Sequence, residues 1–197
     1  MTFKKLRFLG RGKRSEVYVF KKNNKLYCIK FKRKDSKAVG RLENEAKFLI
    51  LLNKYKIGPK LIAYGSDFIV YEFVNGNFFI DYLQRSKNPL KIIKQIFAQC
   101  FIMDKLGINK EEMHRPLKHI IVFRNSVKMI DFERCHYSDK VHNVTQFFQF
   151  LYSRKEELQK KGINLKINYK QLQKYKKEIN EKKYKDLIQT SLSSNHK

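Results

Sequence analysis

The sequence predicts an α+β fold of two lobes, a β-rich first lobe and a reduced, mainly helical second one. Three observations predict it. Apolar and polar residues alternate through most of the first 75 positions, apolar residues recur at helical spacing from Leu90 onward, and Asn75-Gly76 breaks the chain between the two regimes. The 197 residues suffice for a single two-lobed domain with a real core, divided at 1–75 and 76–197.

Taken in order, "KLRFLGRGKRSEVYVFKKNNKLYCIKFKR" gives strands around a glycine-containing turn, then a hairpin about Asn23-Asn24. In "RLENEAKFLILLNKY", Leu42, Leu49 and Leu52 recur at helical spacing, and Gly58-Pro59 stops that helix. "KLIAYGSDFIVYEFV" gives two more strands around Gly65-Ser66-Asp67. A helix is expected from Leu90 to Leu106, and an irregular polar stretch, "GINKEEMHRPLKH", follows it. Strands then flank Arg124-Asn125-Ser126, helices run from about Val144, and "SLSSNHK" is expected to fray.

Composition excludes several classes. Hydrophobic residues make up 42% of the chain and aromatics 14%, which argues against a disordered tail. No apolar run approaches the roughly 18 residues of a membrane span, and the N-terminus has no apolar core of a secretory signal. Cys28, Cys100 and Cys135 show no paired spacing, so buried reduced thiols and a cytoplasmic location are expected. The formal net charge is +26, with +12 over residues 1–37 and +8 over residues 154–197. Such ends attract RNA, a ribosome, a polyphosphate or an acidic protein surface, although no aromatic RNA-binding motif on a sheet is evident.

One stretch carries the chemistry. In "VFRNSVKMIDFERC", Val127, Met129 and Ile130 read as a buried strand that ends in Asp131, Phe132 and Glu133. A hairpin about Asn125 sets His119 opposite Asp131, a carboxylate and an imidazole suited to a divalent cation. Glu45 shares the helix face of the three leucines, where a carboxylate needs a cation, and Lys30 in "LYCIKF" is the candidate. Gly10, Gly12 and Ser15, followed by Val17, form a small-residue turn between strands, which lets backbone N–H groups approach phosphates.

In this order, the glycine turn, Lys30, Glu45, the strand ending "YEFVNG" and Asp-Phe resemble the protein-kinase superfamily over residues 6–150. The small atypical members are closest: the RIO kinases, the RIO-like Ser/Thr kinases of archaea, and the kinase subunit of the tRNA-threonylcarbamoylation complex. The resemblance implies a kinase-like domain with ATP and Mg²⁺ as cofactors. Gly10, Gly12, Ser15 and Val17 would cover the phosphates, and Lys30 would hold them, positioned by Glu45. Glu72, Phe73 and Val74 would form the adenine-reading hinge, and Asp131 would bind the metal with His119 beside it. Lys30→Ala is then expected to lose ATP with modest effect on folding.

The chain departs from the family's catalytic loop. His114 stands at the position of the usual Asp and His119 at that of the usual Asn, and no Asp lies between Asp104 and Asp131. Glu112 is the preferred base, with His114 beside it. The expected function is an ATP-dependent Ser/Thr protein kinase acting on a protein acceptor. The alternative is a kinase-fold ATPase or nucleotide switch docked on RNA, a ribosome or a partner complex. A small-molecule kinase ranks last, because no acidic pocket for a cationic substrate is apparent.

Overall fold

The computed structural model describes residues 5–194, and it is a mixed α+β fold. Two compact units divide it. The first comprises Met1–Gly76 together with Lys128–Cys135, and the second comprises Asn77–Val127 with His136–Lys197. The short "KMIDFERC" segment therefore belongs to the unit built by the first 76 residues.

Five strands form the sheet of the first unit: β1 (Arg7–Arg11), β2 (Ser15–Lys22), β3 (Lys25–Lys32), β4 (Leu61–Tyr64) and β5 (Phe68–Glu72). They lie antiparallel in the order β1-β2-β3-β5-β4. Asn23 and Asn24 close the β2–β3 hairpin with φ of 48° and 62°. Two consecutive left-handed residues give the turn whose twist matches the strands, and Asn tolerates that region better than most residues.

Helix α1 (Arg41–Asn53) crosses from β3 to β4 and buries Leu42, Glu45, Ala46, Phe48, Leu49 and Leu52. Its exit is pinned by Asn53, whose side-chain amide donates to the carbonyls of Ile57 and Pro59 while its oxygen accepts from Leu61 N–H. Gly58 has φ +77°, and a Cβ there would come within 2.6 Å of Leu49 and 3.0 Å of Phe132. Only glycine fits this position, because backbone conformation and close packing both exclude a side chain.

The second unit holds α2 (Phe79–Arg85), α3 (Leu90–Lys105), α4 (Asn143–Tyr152), α5 (Lys155–Lys160), α6 (Tyr169–Lys177) and α7 (Glu181–Ser191). Its short strands are β6 (Asn77–Phe78), β7 (Ile108–Asn109), β8 (Ile120–Phe123), the start of β9 (Ser126–Met129), β10 (His136–Tyr137), β11 (Ile163–Leu165) and β12 (Leu192–Ser194). β6 pairs with β8, β7 with β10, and β11 with β12. This unit is thus less purely helical than the sequence suggests. Leu192–Ser194 pair as a strand where fraying was expected, and residues 195–197 lie outside the described residues.

Phe79, Phe97, Phe147, Phe148 and Phe150 pack ring to ring at the centre of the second unit, with centroids 4.4 to 6.4 Å apart. Beside them Asp104 is buried, yet fully engaged. It accepts from the backbone N–H groups of Asn143 and Val144, which begin α4, from the Asn143 amide, and from the Tyr175 hydroxyl at 2.8 Å. An acid at a helix N-terminus satisfies orphan donors and meets the positive end of the dipole. All three cysteines are buried and free. No helix among the described residues is long and apolar enough to cross a membrane.

Candidate functional site

Strand β3 alternates its side chains, so Cys28 and Lys30 share the face that α1 covers. Val17 lies directly across from Lys30 on β2. The Lys30 ammonium meets Glu45 Oε2 at 2.8 Å, one helical turn inside α1. It also meets Asp131 Oδ1 at 3.0 Å and Glu133 Oε2 at 3.3 Å. The side chains of Lys30, Glu45 and Glu133 are 7%, 2% and 10% exposed, whereas Asp131 is 36% exposed. Asp131 is therefore the carboxylate of the three that solvent reaches best.

The residues around Asp131 explain how an acid comes to rest there. Asp131 has φ +65°, a left-handed conformation that Asp adopts more readily than most residues and that turns the chain at the end of β9. Phe132 is fully buried and packs against the bare backbone of Gly58. Its N–H donates to Glu45 Oε1 at 3.4 Å. Arg41 and Asn44 of α1 donate to the Glu133 carbonyl, and Asn44 donates also to that of Cys135. One helix thus holds both Lys30 and the segment carrying the two further acids.

Around one ammonium stand three carboxylates, in a chain whose formal charge is +26. Arg14 adds a second cation, donating to Glu133 Oε1 at 3.1 Å. Burial pushes the Lys30 pKa down, but Glu45, Asp131 and Glu133 outweigh it and hold the ammonium well above its ordinary value. Burial pushes the Glu45 carboxyl up, and Lys30 opposes that push. The two directions compete within one pair. Lys30 is the member firmly held charged, because three acids face it.

Ligand oxygens of Glu45, Asp131 and Glu133 lie within 4.8 Å of one another, forming a group of hard oxygen donors of the kind Mg²⁺ prefers. His119, the expected second ligand, is not in that group. It sits before β8 in the second unit, and its N–H donates to the Pro116 carbonyl.

The glycine turn joins β1 to β2. Gly12 N–H donates to the Ser15 carbonyl at 2.8 Å and closes it. Neither Gly10 nor Gly12 has positive φ, and a Cβ on Gly10 would meet nothing within 4 Å. The fold itself does not demand glycine at position 10, and open space lies over it. Glu72 ends β5 and its N–H donates to the Lys60 carbonyl, while Phe73 N–H donates to that of Leu26; Val74 follows outside the sheet.

Glu112 and His114 lie in a 3₁₀ turn, Glu111–His114, of the second unit. Glu112 accepts from Lys110 Nζ at 3.1 Å, and the Lys110 side chain is wholly buried. The His114 ring is exposed, with Nδ1 2.9 Å from the Glu111 carbonyl. The structure therefore brings Lys30, Glu45 and Asp131 together in one unit and sets Glu112, His114 and His119 in the other. Sequence reasoning missed Glu133 and Arg14 as members of the cluster. No protein-family model matches the chain, and no curated protein matches it.

Proposed function

We propose that the chain is an ATP-dependent phosphotransferase of the protein-kinase type, an atypical Ser/Thr protein kinase that works with Mg-ATP. The observation that carries this reading is the buried Lys30–Glu45 pair at 2.8 Å, with Asp131 at 3.0 Å from the same ammonium. A strand lysine, a helix glutamate and an Asp-Phe turn are the parts a kinase uses to hold nucleotide phosphates and metal. The antiparallel sheet with one helix between its third and fourth strands supports the same reading.

In this reading Lys30 binds the α- and β-phosphates, and Glu45 fixes the ammonium so that little side-chain freedom is lost on binding. Asp131, the exposed acid, is the metal ligand. A bound Mg²⁺, held by Asp131, would supply positive charge to the phosphate group being transferred. The space over Gly10 admits a phosphate close to the backbone. Gly10→Ala is expected to leave stability unchanged or raise it by up to about 1 kcal/mol, because alanine narrows the unfolded ensemble. The same change is expected to weaken ATP binding roughly tenfold. Thermal melts and ATP titration of one preparation check both halves.

A second reading, ATP hydrolysis or nucleotide switching without an acceptor, is favoured by the Lys110–Glu112 pair. A carboxylate oxygen that already accepts from a buried ammonium is less free to turn toward an acceptor hydroxyl. Labelled ATP and magnesium decide between them. Label on protein Ser or Thr supports the kinase, and label found only in free phosphate supports the switch. In single-turnover transfer, Glu112→Gln is expected to slow the step about a hundredfold and His114→Ala less. Parent rates in both variants would remove both residues as the base.

A further inference from the structure

The sheet face opposite Lys30 carries another arrangement. Strand register sets Phe8 across from Tyr18, Phe20 across from Tyr27, and Phe31 across from Phe68, all on one side. Phe8 and Tyr18 meet edge to face at 5.5 Å, Tyr18 and Phe31 at 6.0 Å, and Phe20 stacks on Tyr27 at 5.5 Å. On this face Phe20, Ile29 and Val70 form a buried cluster, against which Tyr18, Tyr27, Phe31 and Phe68 pack while staying partly open, and Phe8 is 55% exposed. Tyr18 and Phe31 are thus anchored on the buried cluster, and Phe8, held edge to face by Tyr18, is open to solvent.

Beside them runs a groove of about 610 Å³, whose lining includes Arg11, Tyr18, Phe31, Lys32, Arg33 and Lys34. Glu16 and Asp35 also line it, paired with Arg11 and Arg33. Lys32 and Lys34 have no acidic partner among the described residues. Anchored rings on a sheet, rimmed by cations, match the chemistry of a single strand of nucleic acid. Bases stack on ring faces in any sequence, while the cations follow the phosphates. A duplex hides its base faces, and an acidic peptide uses the cations without the rings.

We propose that this face binds single-stranded RNA, with bases on Phe8 and Tyr18 and phosphates along Lys32 and Lys34. The Glu16 carboxylate on the groove wall accepts from the Tyr18 hydroxyl at 2.9 Å and pairs with Arg11, and its remaining lone pairs would accept from a ribose 2′-hydroxyl, which DNA lacks. The proposal uses neither Lys30 nor Asp131, so it stands apart from the nucleotide reading.

The test is fluorescence anisotropy of the full chain with a labelled oligouridylate of about 12 nucleotides, titrated at several salt concentrations. Phe8→Ala changes an exposed ring and leaves the charge alone. It should weaken binding about tenfold with the salt slope unchanged. Lys34→Gln should lower that slope by about 0.7, as loss of one phosphate contact on a single strand requires. Lys182→Gln, on exposed α7, should leave both at parent values, and Asp131→Asn should bind RNA like the parent. Parent affinity in Phe8→Ala would overturn the proposal. So would equal binding of duplex RNA, oligothymidylate or polyglutamate, since each lacks a feature the face is said to read.

Discussion

Lys30→Ala is expected to destabilise the first unit by about 3–5 kcal/mol, because it strands buried carboxylates without their cation. For a chain of this size that corresponds to a fall in Tm of roughly 10 °C. The sequence alone suggested a modest effect on folding. The structure revises this, since Glu45 is 2% exposed and Glu133 10%, and both lean on the same ammonium. The deficit should depend on pH. Burial already pushes the Glu45 carboxyl up, and Lys30 is what opposes it. Without Lys30 the folded pKa rises further above the unfolded one, so the unfolded chain loses its proton first. Stability is then lost as pH rises through the window between the two values, and the deficit should be smaller near pH 5 than near pH 8. Removing both charges, as Lys30→Met with Glu45→Leu, should recover much of the stability and none of the ATP binding. Scanning calorimetry of the three proteins at the two pH values checks this. A Tm for Lys30→Ala equal to the parent's at both would mean that the ammonium does not hold the cluster.

The parts of the fold that sequence predicted best are those fixed by local pattern. Asn23-Asn24 between alternating runs leaves little choice but a tight hairpin, and the leucine spacing of α1 sets its buried face. The Lys30–Glu45 pair was legible for a physical reason: a carboxylate in an apolar stripe needs a cation, and a strand lysine on an apolar face needs an anion. Glu133 was not, because nothing local distinguishes an acid that turns inward from one in water. Its partner Arg14 is 119 residues away and one of many basic residues. Asp104 near the end of α3 has its partners Asn143 and Tyr175 39 and 71 residues away, beyond the reach of any local pattern. The aromatic face was missed because alternation assigns rings to a side within each strand, and only register places Phe8, Tyr18 and Phe31 on the same side. Strands of two or three residues, such as β7 and β10, carry too few positions to show a period.

Asp131→Asn is expected to abolish magnesium-dependent turnover of ATP, by about a thousandfold or more, with the fold intact. The substitution is mild for the backbone. Asn adopts the left-handed conformation at φ +65° as readily as Asp, and its side chain has the same shape. It relieves the crowding of three acids around Lys30 while removing the solvent-facing charge that a divalent cation needs. Melting should therefore stay close to the parent's, which separates loss of chemistry from loss of structure. The deciding measurement is the transfer or release of γ-phosphate from ATP by parent and Asp131→Asn, each with magnesium and with chelator. The proposed function requires turnover by the parent that depends on magnesium and disappears in the folded variant. Turnover by Asp131→Asn at the parent rate, or a folded parent that neither binds nor turns over ATP with magnesium, would contradict it.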